Sequence, residues 1–237
     1  NAHFRADAVL DSTDQIVLAS SSTGVVTLDP TGNGTRWRHD APDGCTLVGA
    51  EVGSAGGAIL QQCGSDAVRL RLFDGFEGTA QWTRDLPARD GAEIRLLGAD
   101  GLIGVVVDDE FQALSPADGT VLQRLPVPAG SAGEVQQVAA GVLALVRVGE
   151  TMSALDSASG SVLWSAPATG LPAAPEAGAD PTGALPVPAS EGFVLRDPAT
   201  GVELGRAEVP GLSEGGTAAV VGDAVVHRLP DRVTGFR

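Results

Sequence analysis

The sequence predicts an all-β fold built from four-stranded antiparallel sheets that repeat along the chain, and three observations support this. Short apolar runs are separated by frequent glycine and proline, 32 and 15 of the 237 residues, as expected for short strands joined by tight turns. A group of aspartate, glycine and tryptophan returns at a nearly constant spacing. Between successive groups there is room for further apolar runs, so that each unit can hold four strands.

The repeated group begins where an alternating strand ends in aspartate, at positions 29, 74, 115, 156 and 197, with serine at 115. The aspartate can cap a turn with its own carboxylate, and the residue four later must be left-handed, which suits glycine or, in the first unit, Asn33. A large apolar residue then falls on the returning strand. The residues that carry the pattern are Asp29, Trp37, Asp74, Gly78, Trp82, Gly119, Asp156, Gly160, Trp164, Asp197 and Gly201.

Further apolar runs precede each group, for example Leu102–Val107 and Val142–Val148. Each unit therefore contains four antiparallel strands, A to D. A single sheet of this kind cannot bury both faces, so the sheets must stack radially on one another. The sequence thus predicts one β-propeller domain over residues 1–237, with about six blades of roughly 41 residues each.

The last predicted blade lacks a fourth strand of its own. Residues Ala218–Leu229 are expected to form its strand B and Arg232–Arg237 its strand C. The N-terminal segment His3–Val9, with Phe4 in place of tryptophan, is expected to supply the fourth strand and to close the ring, because an unpaired edge favours aggregation.

The fifth blade is expected to be irregular. Proline cannot donate to a strand ladder and is excluded from central strands. A surface loop is therefore predicted between Trp164 and Asp197, either as a partner-binding loop or as a tolerated insertion. The prolines of this segment are Pro167, Pro172, Pro175, Pro181, Pro186 and Pro188.

The stretch Ala154-Leu155-Asp156-x-x-Ser159-Gly160-x-x-Leu163-Trp164 resembles the tryptophan-docking repeat of the pyrroloquinoline-quinone-like propeller superfamily. The stretches from Asp74 to Trp82 and from Asp29 to Trp37 are weaker copies. The resemblance covers nearly the whole chain and implies a fold. The superfamily includes quinoprotein dehydrogenases and non-catalytic scaffolds of the BamB type, and its members usually have about seven or eight blades.

Cys45 and Cys63 are the only two cysteines. If Thr46–Val52 and Ala58–Gln62 form a hairpin around the turn at Ser54, the two cysteines face each other and a disulfide is natural. A disulfide indicates a location outside the cytoplasm. The alternative is a pair of buried free thiols in a cytoplasmic protein.

Catalytic and cofactor motifs are not found in the sequence. The histidines His3, His39 and His227 are isolated, without metal-ligand spacing. There is no G-x-S-x-G elbow, no C-x-x-C and no phosphate-binding loop. Quinoprotein dehydrogenases carry adjacent cysteines and calcium ligands, from which this sequence departs. We therefore expect a protein without enzymatic activity, metal or cofactor.

The formal net charge is −15, and all 15 basic residues are arginine. Phosphate backbones and anionic lipid surfaces would be repelled, so we expect neither nucleic acid nor direct membrane binding. The B–C and D–A connections of a four-stranded meander emerge on one face, which should be acidic. Its D–A members are Asp40, Asp43, Asp85 and Asp90, and its B–C members, the expected binding face, are Asp66, Asp108, Asp109, Glu150, Glu191 and Asp231. The face is either a docking surface for a basic protein segment or a cation, or a set of ordinary solvated turn residues.

These observations favour a monomeric, non-catalytic bacterial propeller outside the cytoplasm that binds a protein or a ligand, for instance as the exposed domain of a membrane-anchored protein. Two other functions stay open. One is a reduced quinoprotein-like oxidoreductase, and the other is the sensor domain of a signalling protein.

Overall fold

The computed structural model describes residues 8–32, 34–64, 67–89, 91–174 and 183–237. The predictions for Asn33, Asp66 and Asp90 lie outside the described residues. The chain divides into two compact units, residues 1–133 and 134–237. The prediction of one domain over residues 1–237 stays a prediction.

The described part of the first unit consists of three four-stranded antiparallel sheets, each with its strands in sequence order. The first sheet contains β1 (Val9–Ser12), β2 (Val17–Ser21), β3 (Gly24–Leu28) and β4 (Thr35–Asp40). The second contains β5 (Cys45–Gly53), β6 (Gly56–Cys63), β7 (Ala67–Phe73) and β8 (Ala80–Pro87). The third contains β9 (Ile94–Ala99), β10 (Ile103–Val107), β11 (Glu110–Leu114) and β12 (Val121–Pro126).

The second unit also has three sheets in its described residues, after a 3₁₀ turn at Ala132–Glu134. One contains β13 (Gln136–Ala140), β14 (Leu143–Val148), β15 (Thr151–Asp156) and β16 (Val162–Pro167). A three-stranded sheet contains β18 (Leu185–Ala189), β19 (Gly192–Arg196) and β20 (Glu203–Glu208). The last contains β17 (Leu171–Pro172), β21 (Thr217–Val221), β22 (Ala224–Arg228) and β23 (Val233–Phe236).

Five of these sheets share a local irregularity that follows the sequence repeat. The ladder between the third and fourth repeat strands shifts register where the third strand nears its turn, as between Thr27 and Leu28 or between Ala154 and Leu155. The equivalent shifts lie at Leu72/Phe73, Ala113/Leu114 and Leu195/Arg196. A bulge of this kind bends and twists the strand. The repeat is therefore a structural unit and not only a pattern of residue types.

The core of each unit is formed by the inward-facing apolar residues of the central strands. In the first unit Leu60, Leu70 and Ile103 have no exposed surface. In the second unit the same is true of Leu145 and Val187. Burial on both faces explains why these strands are continuous apolar runs rather than clean alternations. The predicted runs Leu102–Val107 and Val142–Val148 correspond to β10 and β14.

The predicted irregularity of the fifth blade is confirmed. The prediction of a surface loop up to Asp197 is wrong for the end of this segment, which contains strands. Leu185–Ala189 forms β18, in which Leu185 to Pro188 are buried. In the described residues β18 pairs only with β19, so Pro186 and Pro188 lie on an edge strand, where proline is tolerated. Residues 175–182, with Pro175 and Pro181, lie outside the described residues.

The end of the chain differs from the prediction in two respects. Ala218–Leu229 is not a single strand B, because the turn at Gly222, with φ of 63°, divides it into β21 and β22. The strand predicted over Arg232–Arg237 is found as β23, but it is the fourth strand of its sheet, after β17, β21 and β22, so the expectation of a strand C in a sheet without its own fourth strand was wrong. Residues 3–7 of the expected closing strand lie outside the described residues, and Val9 pairs with Ser20 of β2 instead. Closure by the N-terminal segment stays a prediction.

No helix in the described part of the chain is long and apolar enough to span a membrane.

Candidate functional site

The tryptophans of the repeat dock onto the turn of the following sheet. In the first unit Trp37 Nε1 donates to the carbonyl of Gly75 at 2.9 Å, and Trp82 Nε1 donates to the carbonyl of Pro116 at 2.7 Å. In the second unit Trp164 Nε1 donates to the carbonyl of Pro198 at 2.9 Å. Trp37 and Trp164 are buried, and Trp82 is partly buried.

Each docked ring covers the left-handed glycine that the sequence repeat predicts. A Cβ added to Gly78, Gly119 or Gly201 would lie 2.4, 2.8 or 2.5 Å from the ring above it, closer than carbon atoms can approach. The glycines are therefore required both for a positive φ and for the ring's approach. Gly160 also has a positive φ, but the equivalent position of the preceding unit holds Gln123 instead of tryptophan.

The repeat aspartates cap their turns as predicted. Asp156 Oδ1 accepts from the backbone N–H of Ser159 at 2.7 Å, and Asp197 Oδ1 accepts from that of Thr200 at 2.8 Å. Asp29 and Asp74 make the same type of bond. A hydrogen bond from the Ser159 hydroxyl lowers the pKa of Asp156. These aspartates therefore stabilise the turns of the repeat, and their carboxylates accept hydrogen bonds within those turns.

Cys45 and Cys63 form a disulfide with an S–S distance of 2.02 Å. They are direct partners in the β5–β6 ladder, as the predicted hairpin requires. The bond closes the open end of that hairpin, opposite the turn at Ser54.

The predicted acidic positions differ in how far arginine neutralises them. In the first unit Arg89 Nε lies 3.1 Å from Asp108 Oδ2, and its Nη2 lies 3.5 Å from Asp109 Oδ1. Arginines also pair with Asp40 and Asp85, at 2.7 Å in each case. Asp108 turns the β10–β11 hairpin with φ of 58°, which aspartate tolerates better than most residues.

In the second unit, by contrast, the described residues show no ion pair at Glu150, Glu191 or Asp231. Glu150 and Glu191 lie in the hairpin turns β14–β15 and β18–β19 and are exposed. Asp231 lies between β22 and β23, the third and fourth strands of its sheet, so its prediction as a B–C residue was wrong. The charge of Glu191 acts on Arg206, which leaves Glu150 as the less compensated of the two turn glutamates.

The first unit contains a cavity of about 310 Å³ beside its innermost strands. Serine hydroxyls from the end of β2, apolar side chains of β5 and Arg95 of β9 line it. A bulge in β5 leaves Val48 without a partner in β6 and turns it toward this cavity. Its lining includes Ser20, Ser21, Ser22, Leu47, Glu51 and Leu96.

Glu51 at this cavity is half-buried and shares a hydrogen bond with the side chain of Asp11. Burial, followed by the charge of Asp11, raises the pKa of Glu51 to about 8, and Arg95 opposes this shift. Asp11 Oδ2 also accepts from the backbone N–H of Val52 at 2.7 Å, which ties β1 to β5. Glu51 is therefore largely protonated at neutral pH, and its carboxyl group can donate a hydrogen bond to the side chain of Asp11.

This carboxyl pair was not predicted from the sequence. Asp11 and Glu51 are far apart in the chain, and their contact depends on how two innermost strands approach each other. The available signal is one acidic residue inside the otherwise uncharged strand Cys45–Gly53.

A smaller cavity of about 220 Å³ lies in the second unit, between the loop after β20 and the last hairpin. His227, buried at its wall, has Nε2 2.9 Å from the carbonyl oxygen of Gly215. Its ring meets that of Phe193 edge to face. His227 therefore packs as part of the core. His39 lies between the first two sheets, beside Gln61, and His3 lies outside the described residues.

Among similar solved structures, one with a TM-score above 0.5 agrees with a propeller fold. Hsv2 from K. marxianus superposes with a TM-score of 0.52 at 10% identity, over 93% of this chain and 71% of Hsv2. BamB from Moraxella catarrhalis gives a TM-score of 0.38 at 12% identity, over 95% of this chain and 80% of BamB. A protein of unknown function from Bacteroides caccae gives 0.44 at 14% identity, over 84% and 80%.

None of the curated proteins matches the chain in sequence. A family model described as outer membrane protein assembly factor BamB matches residues 21–170 and, in an overlapping second match, residues 65–233. These matches span the tryptophan docks and the capped turns of both units. The chain therefore belongs to the family of the outer membrane protein assembly factor BamB, and its repeated four-stranded sheets are those of a β-propeller.

Proposed function

We propose that the chain is a non-catalytic binding scaffold that works outside the cytoplasm and holds a protein partner through its acidic turns. The observation that carries this proposal is the match of nearly the whole chain to the BamB family. The description of that family points to partners among envelope proteins. Repeat folds of this kind offer a rigid support for exposed turns, where binding residues commonly lie.

The disulfide supports a location outside the cytoplasm. Such bonds persist in oxidising compartments and are rare where thiols are kept reduced. The Cys45–Cys63 bond joins direct ladder partners, so the hairpin accepts it without rearrangement.

The charge distribution supports a basic segment as the partner's contact. The acidic turns of the first unit are neutralised in part by Arg38, Arg69 and Arg89. Glu150 and Glu191 are exposed in their turns. A basic segment would meet these exposed charges, of which Glu191 is partly compensated by Arg206, and such charges steer association and fix register more than they add affinity.

The test is capture of partners from the native envelope fraction by the tagged full chain, with chemical cross-linking and quantitative mass spectrometry. The double variant Glu150→Gln, Glu191→Gln should lose most of the enrichment of a specific protein. The control is Asp14→Asn, Glu77→Gln, which removes the same charge from exposed positions on the β1–β2 and β7–β8 turns, outside the hairpins between second and third strands. Equal enrichment by both variants would refute the acidic-turn contact, and no enriched protein with any form would refute the scaffold function.

A further inference from the structure

The first and second sheets of the first unit meet at a buried polar contact. His39 lies on β4 and Gln61 on β6, and His39 Nε2 is 3.1 Å from Gln61 Nε2. Gln61 has no exposed surface. Since the amide nitrogen can only donate, His39 Nε2 must accept, so the imidazole is neutral and carries its proton on Nδ1.

In this arrangement the amide nitrogen of Gln61 has a hydrogen-bond partner, but its amide oxygen has none among the described residues. Among the described residues its Oε1 is buried and has no hydrogen-bond partner, and the same is true of the nearby Arg71 Nε. A buried polar atom without a partner is costly, and native structures rarely keep one without a reason. The amide of Gln61 thus holds an unused acceptor directly beside the imidazole.

The groups around His39 favour its neutral form. Burial lowers the pKa of His39, and the charge of Arg71 on β7 lowers it further, whereas Asp40 on β4 raises it. The imidazole also lies 5.0 Å from the ring of Phe73, centroid to centroid. The Arg71 guanidinium lies 5.0 Å from the same ring on β7. Protonation of His39 therefore adds a second positive charge near the Arg71 guanidinium, which disfavours the protonated form.

We propose that His39 and Gln61 form a proton-operated contact between the first two sheets, in which protonation of His39 reverses the hydrogen bond and turns the Gln61 amide. Once Nε2 carries a proton, two donors face each other and the neutral arrangement fails. Rotation of the amide by about half a turn brings Oε1 to Nε2–H, in a hydrogen bond strengthened by the imidazolium charge. The unused acceptor is thereby satisfied.

A change in the protonation of His39 can alter how the first two sheets pack, because the His39 ring contacts side chains that join them. Phe73 touches the His39 ring and also stacks on Trp37, with centroids 5.7 Å apart. Trp37 is the ring that docks the first sheet onto the turn after β7. The contact thus adds a response to external pH to the scaffold function.

The direct test is an NMR titration of the labelled full chain that follows the His39 ring nitrogens and the Gln61 side-chain amide. At neutral pH the His39 proton should be on Nδ1. On acidification the Gln61 amide signals should shift at the same pH at which His39 is protonated, below the usual range of a histidine. A Gln61 amide that does not change when His39 titrates, or a neutral His39 with its proton on Nε2, would overturn the proposal.

The variant Gln61→Glu gives a second test, because an ionised carboxylate only accepts and should hold the proton on His39. The pKa of His39 should then rise by about one pH unit or more. The control is Gln62→Glu, which adds the same charge on the opposite face of β6 and should change it much less. Equal shifts in both variants would contradict the contact. The wild-type titration decides the question even where Gln61→Glu does not fold.

Discussion

At the scale of single residues, the repeat depends on one ring, one glycine and one carbonyl. The ring of Trp164 lies on Gly201 and donates to Pro198, and the docks of Trp37 and Trp82 are built in the same way. The hydrogen bond satisfies the indole N–H, which a buried tryptophan requires. The dock therefore fixes both the distance and the direction in which one sheet meets the next.

The variant Gly201→Ala tests this dock against a matched control. Gly201 and Gly211 have nearly equal φ angles, 70° and 74°, so alanine costs a similar 1–2 kcal/mol or so at either position. Only at Gly201 does the new Cβ meet the Trp164 ring; at Gly211 the space is open. We expect Gly201→Ala to destabilise the chain by about 1–3 kcal/mol more than Gly211→Ala in chemical denaturation. Equal losses in the two variants would mean that the ring does not rest on Gly201.

Glu51 predicts a pH dependence of stability. Its pKa in the folded chain, about 8, is above the value of 4.5 expected in an unfolded chain. The folded state thus binds the proton of Glu51 more tightly than the unfolded state does. The contribution of this proton to the free energy of unfolding is fully present below pH 4.5 and is lost as pH rises toward 8. The charged groups that act on Glu51 are Asp11, Arg95 and Asp100.

The variant Glu51→Gln removes this titration. It should match the wild type near pH 4.5 and be more stable above pH 8, as measured by urea unfolding. Titration of one group changes the free energy of unfolding by at most about 1.4 kcal/mol per pH unit. Because Glu51 is partly exposed to solvent, we expect the free energy of unfolding of the wild type to fall less steeply than this as pH rises. The control is Glu77→Gln at an exposed turn, which should leave the slope unchanged. A Glu51→Gln slope equal to that of the wild type would contradict the raised pKa of Glu51.

At the scale of elements, the β5–β6 hairpin is closed at both ends. The turn at Ser54 joins one end, and the Cys45–Cys63 bond joins the other. Closing a loop of this length stabilises a fold by about 3 kcal/mol when the effect is entropy in the unfolded chain.

Intact mass after alkylation tests the bond directly. Without reductant neither cysteine should be alkylated, and with reductant both should be. The double variant Cys45→Ser, Cys63→Ser should fold but lose about 3 kcal/mol. Two alkylated cysteines in the unreduced native protein would contradict both the bond and the argument for an extracytoplasmic location.

The elements also show what a sequence can and cannot predict. The capped turns and the disulfide hairpin follow from residues a few positions apart, or facing across one turn, and were predictable. The positions of the docking tryptophans followed from the repeat, but the carbonyls that accept from them are 34 to 38 positions away on the next sheet and were not predicted. The strand β18 was missed because Pro186 and Pro188 exclude a central strand, and whether a strand lies at an edge is decided by tertiary structure. The Asp11–Glu51 pair was missed for a similar reason, since two separate sheets bring it together.

At the scale of the whole molecule, acidity is general but not uniform. The formal net charge is −15, yet many of the predicted acidic positions of the first unit form an ion pair with arginine. Among the described residues Glu150, Glu191 and Asp231 of the second unit form none, although Arg206 acts on Glu191 from a greater distance. Net charge alone predicts solubility and repulsion of anions. The proposed binding of a basic segment would depend instead on exposed carboxylates without an ion pair among the described residues.

The most direct test of the scaffold function is the dissociation constant of the captured partner as a function of NaCl concentration. Exposed charges are screened by salt, so binding by the wild type and by Asp14→Asn, Glu77→Gln should weaken together as salt increases. Binding by Glu150→Gln, Glu191→Gln should be weaker at low salt and should depend less on salt. A dissociation constant that does not change with salt, or the same salt dependence in all three proteins, would contradict the account.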